Sequence, residues 1–263
     1  MFNPESKLAT QALSAGYAAE SIVRDLDLEF PRGSITAVIG PNGAGKSSLL
    51  KALARKIAPQ SGAVLLDGVS IASLTPSDLE RSVGLLGTQP ARSNETVFEM
   101  VSKSAMSANQ ISRVSPRLRE EIFSLLERTR LTEFSDKKVS ELSSGSRQCA
   151  VIAAALVKSP AVLLLDEPTN SLDYSHQLQV INLLSSLKRE RGMTIVAVIH
   201  DLNLAARFAD QVVILKAGKI VAKGSAKEVI TPNNLAAAFN ILARVIEDPV
   251  GKTPLVIPIR QLD

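Results

Sequence analysis

Cysteine is nearly absent: the 263 residues contain one, Cys149. A single thiol excludes an internal disulfide and fits a reducing compartment. Long apolar runs are missing too. The longest, Cys149 to Val157, is about half of a bilayer span, so no transmembrane helix is expected. The opening MFNPESKLATQ has neither the basic nor the apolar region of a signal peptide, and export is not expected. There is no internal repeat, no low-complexity segment and no block of like charge. The 30 basic and 26 acidic side chains are interspersed and leave a net charge of +4. That small excess flags an anionic partner only weakly, and solvated faces plus a membrane-side surface account for it. What is present is an apolar fraction of 45%, enough for a sizeable core and incompatible with disorder as the main state. The length suits one large domain, or one core with an inserted subdomain.

Leu26, Leu28 and Phe30 alternate with Asp27 and Glu29 ahead of the turn Pro31-Arg32-Gly33, the pattern of an edge-type antiparallel strand. Ile35 to Ile39 is apolar and runs straight into GPNGAGKSS and then LLKALARKI, giving strand, glycine loop and helix in that order. Val64 to Leu66, Asp67-Gly68 and Val69 to Ile71 read as a hairpin. From about 93 to 158 the pattern is helical. Ser115-Pro116 is an N-cap and first-turn proline, followed by Leu118, Ile122, Leu125 and Leu126 at helical spacing. Ser146 to Lys158 reads as a second helix, stopped by Pro160. Val162 to Leu165 and Thr194 to Ile199 read as strands buried on both faces. QVVILKAGKIVAKG reads as a hairpin, and Ser225 with Glu228 as a capping box opening a helix. Alternating β and α elements around buried strands predict an α/β fold with a largely parallel sheet, an N-terminal antiparallel β part and an inserted helical subdomain. The expected division is a core of about 1–88 and 160–240, a helical subdomain of about 89–159 and a short tail of about 241–263.

Gly40-Pro41-Asn42-Gly43-Ala44-Gly45-Lys46-Ser47 satisfies G-x-x-x-x-G-K-[ST], and Ser48 completes the candidate ATP-binding run. The glycines let the backbone wrap a phosphate chain, and successive N–H groups form an anion nest at a helix N-terminus. Lys46 is expected to reach the β- and γ-phosphates and Ser47 to ligate Mg²⁺. Asp166 and Glu167 stand directly after a buried strand. There Asp166 can hold Mg²⁺ through water and Glu167 can orient or deprotonate an attacking water. His200 also ends a predicted strand and projects to the same sheet edge, where open α/β sheets bind ligands. It could contact a γ-phosphate oxygen and keep the water aligned.

With Leu142-Ser143-Ser144-Gly145-Ser146-Arg147-Gln148 between these motifs, the chain resembles the ATP-binding cassette ATPases, whose signature is written LSGGQ. The resemblance covers nearly the whole chain, with the motifs in the family's order, and implies the P-loop NTPase fold, ATP hydrolysis and the cofactors ATP and Mg²⁺. It implies that Gln89 links Mg²⁺ and the attacking water to the transport partner, and that Ser171-Leu172-Asp173 crosses to a second subunit. It further implies that His200 is the switch histidine and that Tyr17 stacks on adenine. Ser143, Gly145 and Asp173 would then meet nucleotide held by the other copy. Ser144 replaces the family's usual glycine and Ser146 its glutamine. The first matters only if position 144 needs a left-handed backbone. The second removes an amide contact without emptying the nest. An active ATPase, with its rate altered at most, is expected.

The same resemblance implies a homodimer around ATP and two separate permease subunits docking on the helical insertion near residues 89–105. It also implies a substrate-binding protein in the full system and a peripheral position on the cytoplasmic face of the inner membrane. HDLNLAARFADQVVILKAGKIVAKG and VIEDPVGKTPLVIP look like the ATPases of iron–siderophore, haem and cobalamin importers, making a ferric siderophore the expected cargo. Sugar-type relatives carry an extra domain for which there is no room. Two alternatives stay open: an exporter or lipid- or lipoprotein-extraction ATPase, separated by its permease, and a soluble cassette acting on nucleic acid. The second usually needs coiled coils or tandem cassettes, so no nucleic-acid partner is expected, and steeply salt-dependent binding would revive it.

Overall fold

The computed structural model describes residues 3, 5–18, 20–87, 94–106 and 114–262. Strands β1 (Ser6–Tyr17) and β2 (Glu20–Pro31) pair antiparallel and open the chain. Strand β3 (Ile35–Ile39) leads into helix α1 (Lys46–Leu53). Strand β4 (Pro59–Leu66) and the two-residue β5 (Val69–Ser70) form the expected hairpin, with Ile71 already opening a 3₁₀ turn. Helix α2 (Pro76–Ser82), capped by Thr75, precedes β6 (Val83–Leu86). Among the described residues, the α-helices α3 (Val97–Ala105), α4 (Pro116–Arg128) and α5 (Ser144–Leu156) follow. Then come β7 (Val162–Asp166), α6 (Tyr174–Arg191), β8 (Thr194–Val198) and α7 (Leu202–Phe208). The hairpin of β9 (Gln211–Lys216) and β10 (Lys219–Gly224) leads to α8 (Ala226–Val229) and α9 (Pro232–Phe239). Strands β11 (Ile241–Glu247) and β12 (Pro254–Gln261) end the described chain as an antiparallel pair.

One sheet runs β2-β1-β4-β5 and is antiparallel, with β2 at its edge as the alternation at 26–30 predicts. The other runs β10-β9-β3-β8-β7-β6, parallel except for β10. Its central strands are apolar at nearly every position because each face has its own core. Ile35, Ala37 and Ile39 join Leu163, Leu165, Ile195 and Ala197 in the core that also takes α3 to α6. Val38, Leu164, Val196 and Val198 point the other way, into the core shared with α1 and the antiparallel sheet. The two-residue period of a strand makes this division unavoidable. Each such leucine or valine gains about 1.5–3 kcal/mol by leaving water.

Three local readings shift. Helix α5 starts two residues earlier than its apolar run suggests, because the Ser143 hydroxyl accepts from Ser146 N–H and caps it there. The capping box at Ser225 opens only a four-residue helix, and Thr231-Pro232 starts a second. The short tail expected after 240 carries a strand pair: β12 is held on α7, where Asn203 exchanges two hydrogen bonds with the Val256 backbone. No helix among the described residues is long and apolar enough to cross a membrane.

Candidate functional site

Strands β3, β8 and β7 lie side by side, and the chemistry-bearing residues follow their carboxyl ends. After β3 the backbone turns at Gly40, whose φ of +152° and closeness to the Leu215 carbonyl leave no room for a Cβ. The loop closes at Gly45, left-handed at φ +97°, and α1 begins at Lys46 with its N–H groups facing the loop. Lys46 is buried, and its Nζ donates to the carbonyls of Gly40 (2.8 Å) and Pro41 (2.9 Å). Burial pushes its pKa down, and the Glu167 and Asp166 carboxylates push it back up. The Ser47 hydroxyl donates to Asp166 Oδ1 at 3.0 Å, joining the loop to the end of β7. A cleft of about 550 Å³ opens over the loop, lined by Asn42, Lys46, Ser47, Glu167, Ile22 and Arg24 among others. That volume is in the range of nucleotide-sized ligand sites.

Asp166 is buried, which drives its carboxyl above the usual range; the bond from Ser47 only partly opposes this. Glu167 behaves in the opposite way. Its Oε1 meets His200 Nε2 at 2.6 Å, and its Oε2 accepts from Asn170 Nδ2 at 2.8 Å. The bond to His200 is the main reason its carboxyl lies below the usual range. Glu167 and Ser171 both adopt left-handed backbone, φ 54° and 59°. Such conformations cost a non-glycine residue of order 1 kcal/mol or more and concentrate at functional sites. The structure therefore brings Lys46, Ser47, Asp166, Glu167 and His200 to one edge, as the strand-end reading predicts. Asn170 is an addition, detectable in the sequence only as an amide three residues past the glutamate.

The start of α5 is a separate feature. Ser143 caps the helix, and its hydroxyl also lies 3.0 Å from that of Ser146. Arg147 ties the approach down through the carbonyls of Val139 and Leu142. Ser144 is the first helical residue and is not left-handed, so the serine brings no strain there. Gly145 has a packing reason of its own: an added Cβ would overlap the His176 ring. Asp173 caps α6 and is held by His176 through both its oxygens. Tyr17 ends β1 half-exposed, with Lys51 Nζ 3.2 Å from its hydroxyl. Gln89 and the segment 89–93 of the expected docking surface lie outside the described residues.

Comparison with known proteins places the chain in a family. The family described as "ABC transporter" matches residues 23–170. The ferric enterobactin transport ATP-binding protein FepC of Escherichia coli K12 is 39% identical over 256 residues, 97% of this chain and 94% of that one. The iron(3+)-hydroxamate import ATP-binding protein FhuC of Bacillus subtilis 168 is 40% identical over 254 residues, 96% of this chain and 94% of that one. Among solved structures, the cassette MJ0796 in a dimeric post-hydrolysis state with ADP and Pi has a TM-score of 0.70. It is 26% identical, with 83% of this chain and 98% of that chain covered.

Proposed function

Because this chain belongs to the ABC transporter ATP-binding family, and is an ATPase whose hydrolysis is coupled to transport, we propose that the edge formed by β3, β8 and β7 is its hydrolytic centre. In this reading the triphosphate lies along residues 40–48. Loop N–H groups and the N-terminus of α1 face it, and Lys46 exchanges its carbonyl partners for phosphoryl oxygens. Glu167, clamped between His200 and Asn170, is placed to take or orient the proton of an attacking water. His200 is placed to face the γ-phosphate while holding that carboxylate in line. Tyr17 offers a ring for the base.

Mg²⁺ fits the residues present. Ser47 and Asp166 are hard oxygen donors already in contact, and a buried carboxylate disfavoured by its own charge suits a cation. Mg²⁺ takes one or two protein ligands and leaves the rest to water and phosphate. Ser47 and Asp166 would hold it, and when bound it neutralises charge on the phosphate oxygens.

Two copies would close around the nucleotide, with Ser143, Gly145 and Asp173 of one facing the loop of the other. Motion would pass to two permease subunits docked on the helical part that includes α3, with the chain peripheral on the inner face of the cell membrane. Ferric siderophore is the cargo that the likeness to FepC and FhuC supports, with a substrate-binding protein delivering it. The observation that carries the mechanism is the convergence of a phosphate loop, Asp166, Glu167 and His200 on three adjacent strand ends. The test of the assignment is uptake of labelled ferric catecholate, ferric hydroxamate, haem and cobalamin in cells lacking the chain. Loss of uptake of one ferric chelate, restored by the native chain and not by Glu167→Gln, is expected. Intact uptake of all four would refute the import reading.

A further inference from the structure

Two segments proposed above to face a second copy's nucleotide, the start of α5 and the turn before α6, meet at a residue that neither motif includes. His176 stands three residues after Asp173, at the third position of α6. Its backbone N–H donates to Asp173 Oδ1 and its ring Nδ1 to Oδ2, each at 2.9 Å, so both carboxylate oxygens are spoken for. The far side of the same ring covers Gly145 so closely that a Cβ there would overlap ring carbons and the His176 Cβ. Gln177, the next residue, reaches back to the Leu172 carbonyl at 3.1 Å and pins the turn from the other side.

We propose that His176 is a positioning residue: it locks Asp173 against the start of α5, so that Ser143, Gly145 and Asp173 reach the second copy's nucleotide as one rigid unit. An N-cap alone needs one oxygen of Asp173. The ring bond to the second oxygen fixes the carboxylate's rotation, and the stacking on Gly145 fixes its separation from α5. Sites assembled from two elements need such support, since misplacement by about 1 Å can cost about a hundredfold in rate.

The inference rests on the dimer reading, and the test separates the two. In a Glu167→Gln background, the ATP concentration giving half-maximal dimer is read by light scattering, and ATP binding to dilute monomer by fluorescence. His176→Leu fills the space over Gly145 without a donor, whereas His176→Asn keeps a donor near the Nδ1 position. The leucine variant is expected to need at least about tenfold more ATP to dimerise, with monomer binding unchanged. The asparagine variant, which keeps the bond to Asp173 but not the ring, is expected to recover most of that loss. A leucine variant that dimerises like the parent reduces His176 to packing and overturns the proposal, as does an asparagine variant as impaired as leucine. Should the leucine variant fail to bind ATP as monomer, the asparagine variant decides alone. A parent that never dimerises with ATP removes the dimer reading and this inference with it.

Discussion

Replacing Asp166 by Asn should make the protein more stable without ligand and less stable with it. Asp166 is buried at the end of β7, and desolvation drives its carboxyl above the usual range despite the bond from Ser47. Asparagine has nearly the same shape, keeps an oxygen for the Ser47 hydroxyl and carries no charge to bury. Relieving a functional site of this kind of burden commonly returns about 0.5–2 kcal/mol. At about 2–4 °C per kcal/mol for a chain of this size, the variant should melt about 1–8 °C above the native protein in EDTA. Saturation reverses the order. With Mg²⁺ and a non-hydrolysable ATP analogue at about a hundred times the native Kd, the native protein gains about 2.7 kcal/mol. A ligand-orienting group is worth about 10–100-fold in metal affinity, and at the upper end the variant gains only about 0.4 kcal/mol. Differential scanning fluorimetry with and without ligand reads both orders. A variant that melts below the native protein in EDTA refutes the burial argument. An equal ligand-induced shift in the two proteins refutes Asp166 as a Mg²⁺-holding group.

Two further predictions are direct. Cys149 is buried in α5, where burial pushes its thiol up to about 11. Native protein at pH 8 should therefore react with a thiol reagent at least about a hundredfold more slowly than the urea-unfolded chain, and equal rates would contradict the packing of α5. Asp248 accepts from Arg207 at 2.6 Å and from the Val250 N–H, and the Arg207 bond leads in holding its carboxyl below the usual range. Its stabilisation is complete above the ordinary aspartate value of about 3.9 and fades as pH falls through the depressed one. Asp248→Asn should thus melt lower than native at pH 7 and converge with it in acid, whereas a gap constant with pH would exclude the charge as its cause.

The parts of the site that could be read in the sequence are those whose chemistry is local. A phosphate loop needs glycines at set intervals and a lysine next to the helix start, and all of these are consecutive. Asp166, Glu167 and His200 are legible because the short apolar runs Val162 to Leu165 and Thr194 to Ile199, which read as buried strands, end at the Asp166-Glu167 pair and at His200. Asn170 and His176 were not, since their roles lie in contacts: one amide on one carboxylate oxygen, one ring on one glycine. Strand β1 escaped because its pairing with β2 and β4 is broken by irregularities that blur any alternation in SKLATQALSAGY. The β11–β12 pair escaped because Pro254 and Pro258 interrupt its second strand. Helix α6 is legible in principle, since Val180, Leu183, Leu184 and Leu187 recur at helical spacing on its buried face, with Lys188, Arg189, Glu190 and Arg191 closing its last turn.

The alternation along β3, β7 and β8 has a mechanical corollary. Hydrocarbon grips each of these strands from above and below, so none can roll about its length without opening a void in one layer while crowding the other. The spacing between Asp166, Glu167 and His200 is thus inherited from packing remote from the loop at 40–48. The short turns that protrude beyond that clamp are where the geometry of this edge is expected to yield to substitution.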